Sequence, residues 1–357
     1  MSFHWQERIF LTRISWLSSL ASAGALDGGV NPCHSFVPGF SLLPPDRGFT
    51  IATYTRPATV KTARIEIHSI ETVTVTDKQF LTGAKDGIPV RIGGELRLPA
   101  GISRVPAVVL VHGSGGVGAN VSRWAQELND IDVAALLLDC FTGRDIVQTI
   151  SDQSQLASLA MIVDAYRALD LLSKHPRIDP SRIAVMGFSK GGFAALYASL
   201  DRFRQMHGPA GMEFAAYIPF YPSCYTTYID DEQVSNRPIR VFHGTADDYV
   251  SIEPCRNYVE RLRRVGKDVQ LTEYAGARHA FDNPLYTTAL SLPDAVTTNQ
   301  CPRKERPGGE IINLETGQPF TWSDDCVKRG ATVGYDPVAT AEASKALKGF
   351  LVSTFKI

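Results

Sequence analysis

The chain has 357 residues, a formal net charge of −1, 44% hydrophobic and 20% charged residues. That apolar content supports a large buried core and excludes disorder as the main state, and near-neutral charge excludes recruitment to nucleic acid or an anionic membrane by bulk electrostatics. No apolar run reaches the ~18–20 residues that span a bilayer.

Residues 1–65 mix Gly, Pro and Ser with short apolar stretches of no sustained period, and read as a leader or extension. Arg8 and Arg13 precede an apolar stretch and then Ala21-Ser22-Ala23, the order of a secretion signal, with a floppy leader or a misplaced start codon as the alternative. A catalytic domain is expected over 66–357. Val73 and Val75 alternate with Thr, and 95–98 alternates again, which predicts two antiparallel opening strands. Short apolar or β-branched runs at 107–111, 133–138, 183–186, 214–220, 239–242 and 269–274 suit parallel strands covered on both faces. Between them Leu156, Leu159, Val163, Tyr166 and Leu169 recur at helical spacing, and 194–200, 258–262 and 338–351 supply further helices. The alternation predicts an α/β protein with a doubly wound, mostly parallel sheet of about eight strands and helices on both faces. Residues 283–335 interrupt the rhythm with Pro, Gly, Asn and charge, and are expected as a functional or mobile loop near the active-site mouth.

Gly187-Phe188-Ser189-Lys190-Gly191-Gly192 follows the strand at 183–186 and opens a helix, the context of a nucleophile elbow. A serine hydroxyl is a poor nucleophile near neutral pH, so it needs a base to remove its proton and an acid to orient that base. His243-Gly244-Thr245-Ala246-Asp247-Asp248 follows the strand at 239–242 and places Asp247 at the same sheet edge, with Asp248 as its neighbouring competitor. His279 follows the last predicted strand and is the candidate base, giving the order Ser189, Asp247, His279. Negative charge on the attacked carbonyl oxygen requires backbone N–H donors, expected from Lys190 and from the loop His112-Gly113-Ser114-Gly115-Gly116. Ser114 is the preferred loop donor and Gly115 the second, while His112 is expected to pack and hold the loop. This chemistry needs no metal and no cofactor.

Six cysteines are present, and spacing alone fixes no pairing. Cys301 and Cys326 bracket a polar segment with little core of its own, where a disulfide would help most; reduced, buried thiols are the alternative. Disulfides would favour a periplasmic or secreted protein over a cytoplasmic one.

At these residues the chain resembles the dienelactone hydrolase family, in its serine-bearing branch, over roughly residues 73–351. The resemblance rests on the HGSGG loop, Asp139-Cys140-Phe141-Thr142-Gly143-Arg144, GFSKGG, Tyr221-Pro222-Ser223-Cys224, the GTADD segment, the stretch from Gly276 to Asp282, and Gly334-Tyr335-Asp336-Pro337. It implies Ser189 as nucleophile, Asp247 as acid and His279 as base, and makes Cys224 with Cys255 a pair. The best-known members carry a cysteine nucleophile and an acidic residue in the loop that here reads HGSGG, so the resemblance implies ester hydrolysis by serine chemistry on a small-molecule substrate. Arg144 is a candidate to meet a substrate carboxylate through its planar fork, a surface loop arginine being the alternative. Competing readings are a serine peptidase of the prolyl-oligopeptidase type, which shares fold and residue order, and a non-catalytic binding module.

Overall fold

The structure is a computed structural model that describes residues 62–357. The candidate secretion signal at 8–23 and Cys33 lie outside the described residues. Strand β1 (Thr62–Thr74) opens the fold, so residues 62–65, expected in the extension, belong to the sheet. A single helical turn or two, α1 (Asp77–Thr82), separates it from β2 (Ile88–Pro99), and the two strands pair antiparallel. The chain then alternates: β3 (Val105–Val111), α2 (Ala119–Asn129), β4 (Ala134–Asp139), α3 (Ser158–Ser173), β5 (Ile178–Phe188), α4 (Lys190–Tyr197), α5 (Asp201–His207) and β6 (Tyr217–Phe220). After the two-residue strand β7 (Thr226–Thr227) come β8 (Ile239–Gly244), α6 (Glu253–Arg264) and β9 (Val269–Tyr274).

Eight of these strands form one sheet in the order β1-β2-β4-β3-β5-β6-β8-β9. Pairs from β4 through β9 are parallel, and β2, antiparallel to both β1 and β4, is the one strand of the eight that runs the other way. The continuous apolar run of β3 follows from burial on both sides. Val109 and Val111 join the cluster under α3, α4 and α6, whereas Val108 and Leu110 join Trp124 of α2 on the opposite face. The last helix, α7 (Pro337–Phe355), covers that second face with Ala343, Leu347 and Leu351.

Residues 283–335 are built rather than left as loop. Strands β10 (Leu290–Thr297) and β13 (Lys328–Val333) pair antiparallel, and β11 (Arg303–Arg306) lies between β12 (Glu310–Asn313) and β7. Cys301–Cys326 ties this segment to itself, and Cys224–Cys255 ties the β6–β7 connection to α6. Cys140 is free and buried. Among the described residues, no helix is long and apolar enough to cross a membrane.

Candidate active site

The turn from β5 into α4 is so tight that Ser189 adopts φ 53°, ψ −111°, a conformation that an L-residue holds only when its surroundings enforce it. Ser189 N–H donates to Phe220 O at 3.0 Å and Ser189 O accepts from Phe193 N–H at 2.8 Å, so strand and helix clamp it from both sides. The glycines are required by the crowding. A Cβ on Gly187 would collide with the Gly191 carbonyl, and one on Gly191 with the carbonyls of Val111 and His112.

Two further strand ends deliver the partners. The β8–α6 loop brings Asp247 and the loop after β9 brings His279. His279 Nε2 lies 2.9 Å from Ser189 Oγ, and its Nδ1 lies 2.7 Å from Asp247 Oδ2. Asp247 is itself held: its Oδ1 accepts Tyr249 N–H at 3.0 Å and Val250 N–H at 2.8 Å. Asp248 is exposed and faces elsewhere, its Oδ1 accepting Thr332 N–H at 2.8 Å. His243 lies 3.9 Å from Asp247 Oδ2 and is fully buried, which lowers its pKa and keeps it neutral.

The HGSGG loop packs directly on the elbow, since a Cβ on Gly113 would sit 3.1 Å from Phe188 O and 3.4 Å from Ser189 Cβ. Lys190 is the first residue of α4, where leading N–H groups have no intrahelical acceptor. His112 is buried, takes Cys140 N–H on Nε2 at 3.1 Å and holds Gly113 O through Nδ1 at 2.7 Å, which fastens the loop to the end of β4.

Arg144 does not reach the cleft. Its guanidinium is turned inward onto Asp164 of α3, with Nη1 and Nη2 at 2.8 and 2.9 Å from the two carboxylate oxygens, and it also donates to Cys140 O and Thr74 Oγ1. Both side chains are buried, so its positive charge is already matched and the expected contact with a substrate carboxylate is withdrawn.

Several residues around the site were given no role of their own from the sequence, Tyr221 and Asp282 appearing there only within motifs. Tyr221 and Tyr249 pack on the His279 ring at centroid distances of 4.7 and 4.9 Å. Tyr221 OH donates to the fully buried Asp282 at 2.6 Å, and Trp124 Nε1 donates to the same carboxylate at 2.7 Å, which braces the histidine loop three residues past His279. Gln153 is a hub: its amide meets Ser114 Oγ at 3.0 Å, and its carbonyl groups receive the Lys190 ammonium at 3.2 Å. Burial brings the Lys190 amine down to about 8. These contacts join segments far apart in the chain, and no local pattern announces them.

A cavity of about 570 Å³ opens beside Ser189, lined by Ser114, Gln153 and Lys190 on the sheet side and by Val296, Arg303, Ile311, Phe320 and Trp322 of the 283–335 segment. Away from it, one group among the described residues has metal-ligand composition: Glu66, His68 and His175, with ligand atoms within 4.8 Å of one another. Arg177 N–H donates to His175 Nδ1 at 3.2 Å, so the proton of the neutral ring sits on Nε2 and points at Glu66 Oε2, 3.0 Å away. A cation would have to displace that proton, and the cluster is a hydrogen-bonded one.

A serine on a strained strand-to-helix turn, with histidine and aspartate supplied by later strand ends of a mostly parallel sheet, defines an α/β-hydrolase fold. The sequence pattern of the dienelactone hydrolase family matches residues 92–297, and the chain belongs to that family. It is a serine hydrolase acting on ester bonds. Among curated relatives, a probable 2-oxo-3-(5-oxofuran-2-ylidene)propanoate lactonase of Bradyrhizobium sp is 26% identical over 219 residues, covering 56% of this chain and 85% of the relative. An acyl-protein thioesterase of Emericella nidulans is 27% identical over 151 residues, covering 39% and 59%. Among solved structures, a dienelactone hydrolase-like promiscuous phosphotriesterase from metagenomic libraries shares the fold with a TM-score of 0.52 and 20% identity, covering 82% of this chain and 99% of its own.

Proposed function

We propose that Ser189, His279 and Asp247 form a catalytic triad that cleaves small carboxylic esters through an acyl-enzyme. The observation that carries this reading is the pair of contacts on one imidazole, 2.9 Å to the serine hydroxyl and 2.7 Å to the carboxylate. His279 Nε2 takes the Ser189 proton as Oγ bonds to the carbonyl carbon, and the oxyanion that forms is received by the Lys190 and Ser114 N–H groups. Collapse breaks the bond to the alcohol oxygen, and the imidazolium protonates the departing alkoxide. Water then attacks the acyl carbon, gives its proton to His279, and the Ser189–acyl bond breaks as the proton returns to Oγ. Residues from about 62 to 357 would form the catalytic domain, with 283–335 as an insertion that walls the cavity. Because one relative is named as a lactonase, lactones belong in the substrate panel beside open-chain esters.

The test is turnover of p-nitrophenyl acetate and labelling by a fluorophosphonate probe, each compared with Ser189→Ala. The expected outcome is loss of labelling and a fall in kcat of about three to six orders of magnitude with the fold intact. Undiminished turnover by Ser189→Ala, or turnover of a chromogenic peptide in place of the ester, refutes the assignment.

A further inference from the structure

The charges lining the cavity are uneven. Lys190 and Arg303 are its cations and Asp77 is its carboxylate, and among the described residues no ion pair joins them. Lys190 directs its ammonium to Gln153. Arg303 is placed by β11, whose pairing with β7 includes Arg303 N–H donating to Tyr225 O at 2.9 Å. Its guanidinium lies over the Phe320 ring with Cζ 4.7 Å from the centroid, and Nη2 reaches Thr298 Oγ1 at 3.3 Å. Its Nε is buried and has no hydrogen-bond partner among the described residues. A guanidinium that lines a cavity with one side-chain hydrogen bond and no carboxylate paired to it keeps donor capacity and charge to spare, so the position is explained by an anion that enters the cavity. Asp77 is reachable from the cavity yet crowded enough that desolvation raises its carboxyl, which weakens it as a competing counter-charge.

The wall around Arg303 is aromatic. Phe193, Tyr225 and Tyr228 face the cavity from the sheet side, and Phe320 and Trp322 from the insertion, these two edge-to-face at 5.4 Å. Trp322 is 41% exposed, an uncovered ring at the end of this wall. Such surfaces gain most from a flat apolar partner.

We propose that the insertion-built half of the cavity is a binding site for a planar aromatic group bearing a carboxylate, with Phe320 and Trp322 receiving the ring and the Arg303 guanidinium the anion. The preferred substrates are then esters of anionic aromatic compounds, a conclusion that rests on the reading of Ser189 as nucleophile, whereas the binding site does not. The experiment is calorimetric titration of the whole protein with three unreactive amides: 4-acetamidobenzoate, its neutral analogue 4-acetamidobenzamide, and the aliphatic anion 6-acetamidohexanoate. The aromatic anion is expected to bind about tenfold tighter than either of the others, the scale of one charge-assisted hydrogen bond. Arg303→Gln should abolish the preference over the neutral amide, Arg303→Lys should keep part of it, and Phe320→Leu should reduce the preference over the aliphatic anion. Equal affinity for benzoate and benzamide, or a preference that survives Arg303→Gln, overturns the proposal. The titration needs no turnover, so hydrolysis of p-nitrophenyl acetate by Ser189→Ala would sink the nucleophile assignment separately.

Discussion

Replacing Asp247 by asparagine tests the proposed triad at its least redundant point. Asp247 Oδ1 accepts two backbone N–H groups, from Tyr249 and Val250, and its Oδ2 faces His279 Nδ1 at 2.7 Å. An asparagine must put its oxygen where the two donors point, because the flipped amide would leave both unsatisfied. Its NH2 then opposes His279 Nδ1, and the ring answers by carrying its proton on Nε2. That nitrogen now presents a hydrogen to Ser189 Oγ, 2.9 Å away, and has no lone pair to accept the serine proton. Loss of the correct tautomer costs about four orders of magnitude in kcat in a comparable triad, or roughly 5 kcal/mol of transition-state stabilisation. The assay is kcat/KM on p-nitrophenyl acetate, with near-ultraviolet circular dichroism to verify the fold and Asp248→Asn as control. The Asp248 side chain anchors Thr332, an amide oxygen serves that N–H as well, and the Asn299 bond to the Asp248 backbone O is untouched, so the control should stay close to wild type. An Asp247→Asn enzyme within tenfold of wild type, or an Asp248→Asn enzyme that falls as far, refutes the reasoning.

The Arg144–Asp164 pair predicts stability in place of specificity. Arg144→Met leaves a fully buried carboxylate without its cation and should cost about 3–5 kcal/mol in urea denaturation, while Arg144→Met with Asp164→Leu should regain most of it. Cys301→Ser opens a bridge across 25 positions and should cost about 3 kcal/mol by chain entropy, with KM for bulky esters rising more than kcat falls in steady-state assays. Burial depresses Lys190 from 10.5 to about 8, so between those pH values the unfolded chain holds a proton that the folded chain has released. Stability against unfolding therefore gains with pH across that window, by about 1.4 kcal/mol per unit from this group, and Lys190→Met should remove the gain when urea midpoints are compared from pH 7 to 10.

The order of strands and helices was readable because each buried strand is a short apolar run and each helix repeats its apolar face. The three proposed triad residues were readable for the same reason, since each is defined by its distance from the end of its own strand. Arg144 shows where that logic stops. The DCFTGR stretch places an arginine in a loop after β4, but its partner Asp164 sits on a helix 20 positions later and is not part of the periodic apolar face that marked that helix. Only packing brings the two charges together, and packing decides whether a guanidinium is free or already matched.

The insertion was opaque for a complementary reason. Its strands are short and carry charge, as in Arg303-Lys304-Glu305-Arg306, and they are ordered by pairing with β7 and by the Cys301–Cys326 bridge, neither of which has a local periodic signature. Yet it is laced to both loops that hold the proposed acid and base. Asp248 accepts Thr332 N–H, Asn299 donates to Asp248 O at 2.7 Å, and Gly334 N–H donates to His279 O at 3.1 Å. The segment that supplies Arg303, Phe320 and Trp322 to the cavity therefore also fixes the backbone on which Asp247 and His279 stand. A substitution that loosens it should disturb binding and turnover together, whereas one confined to Arg303 or Phe320 should change which ester is chosen while the imidazole keeps its place.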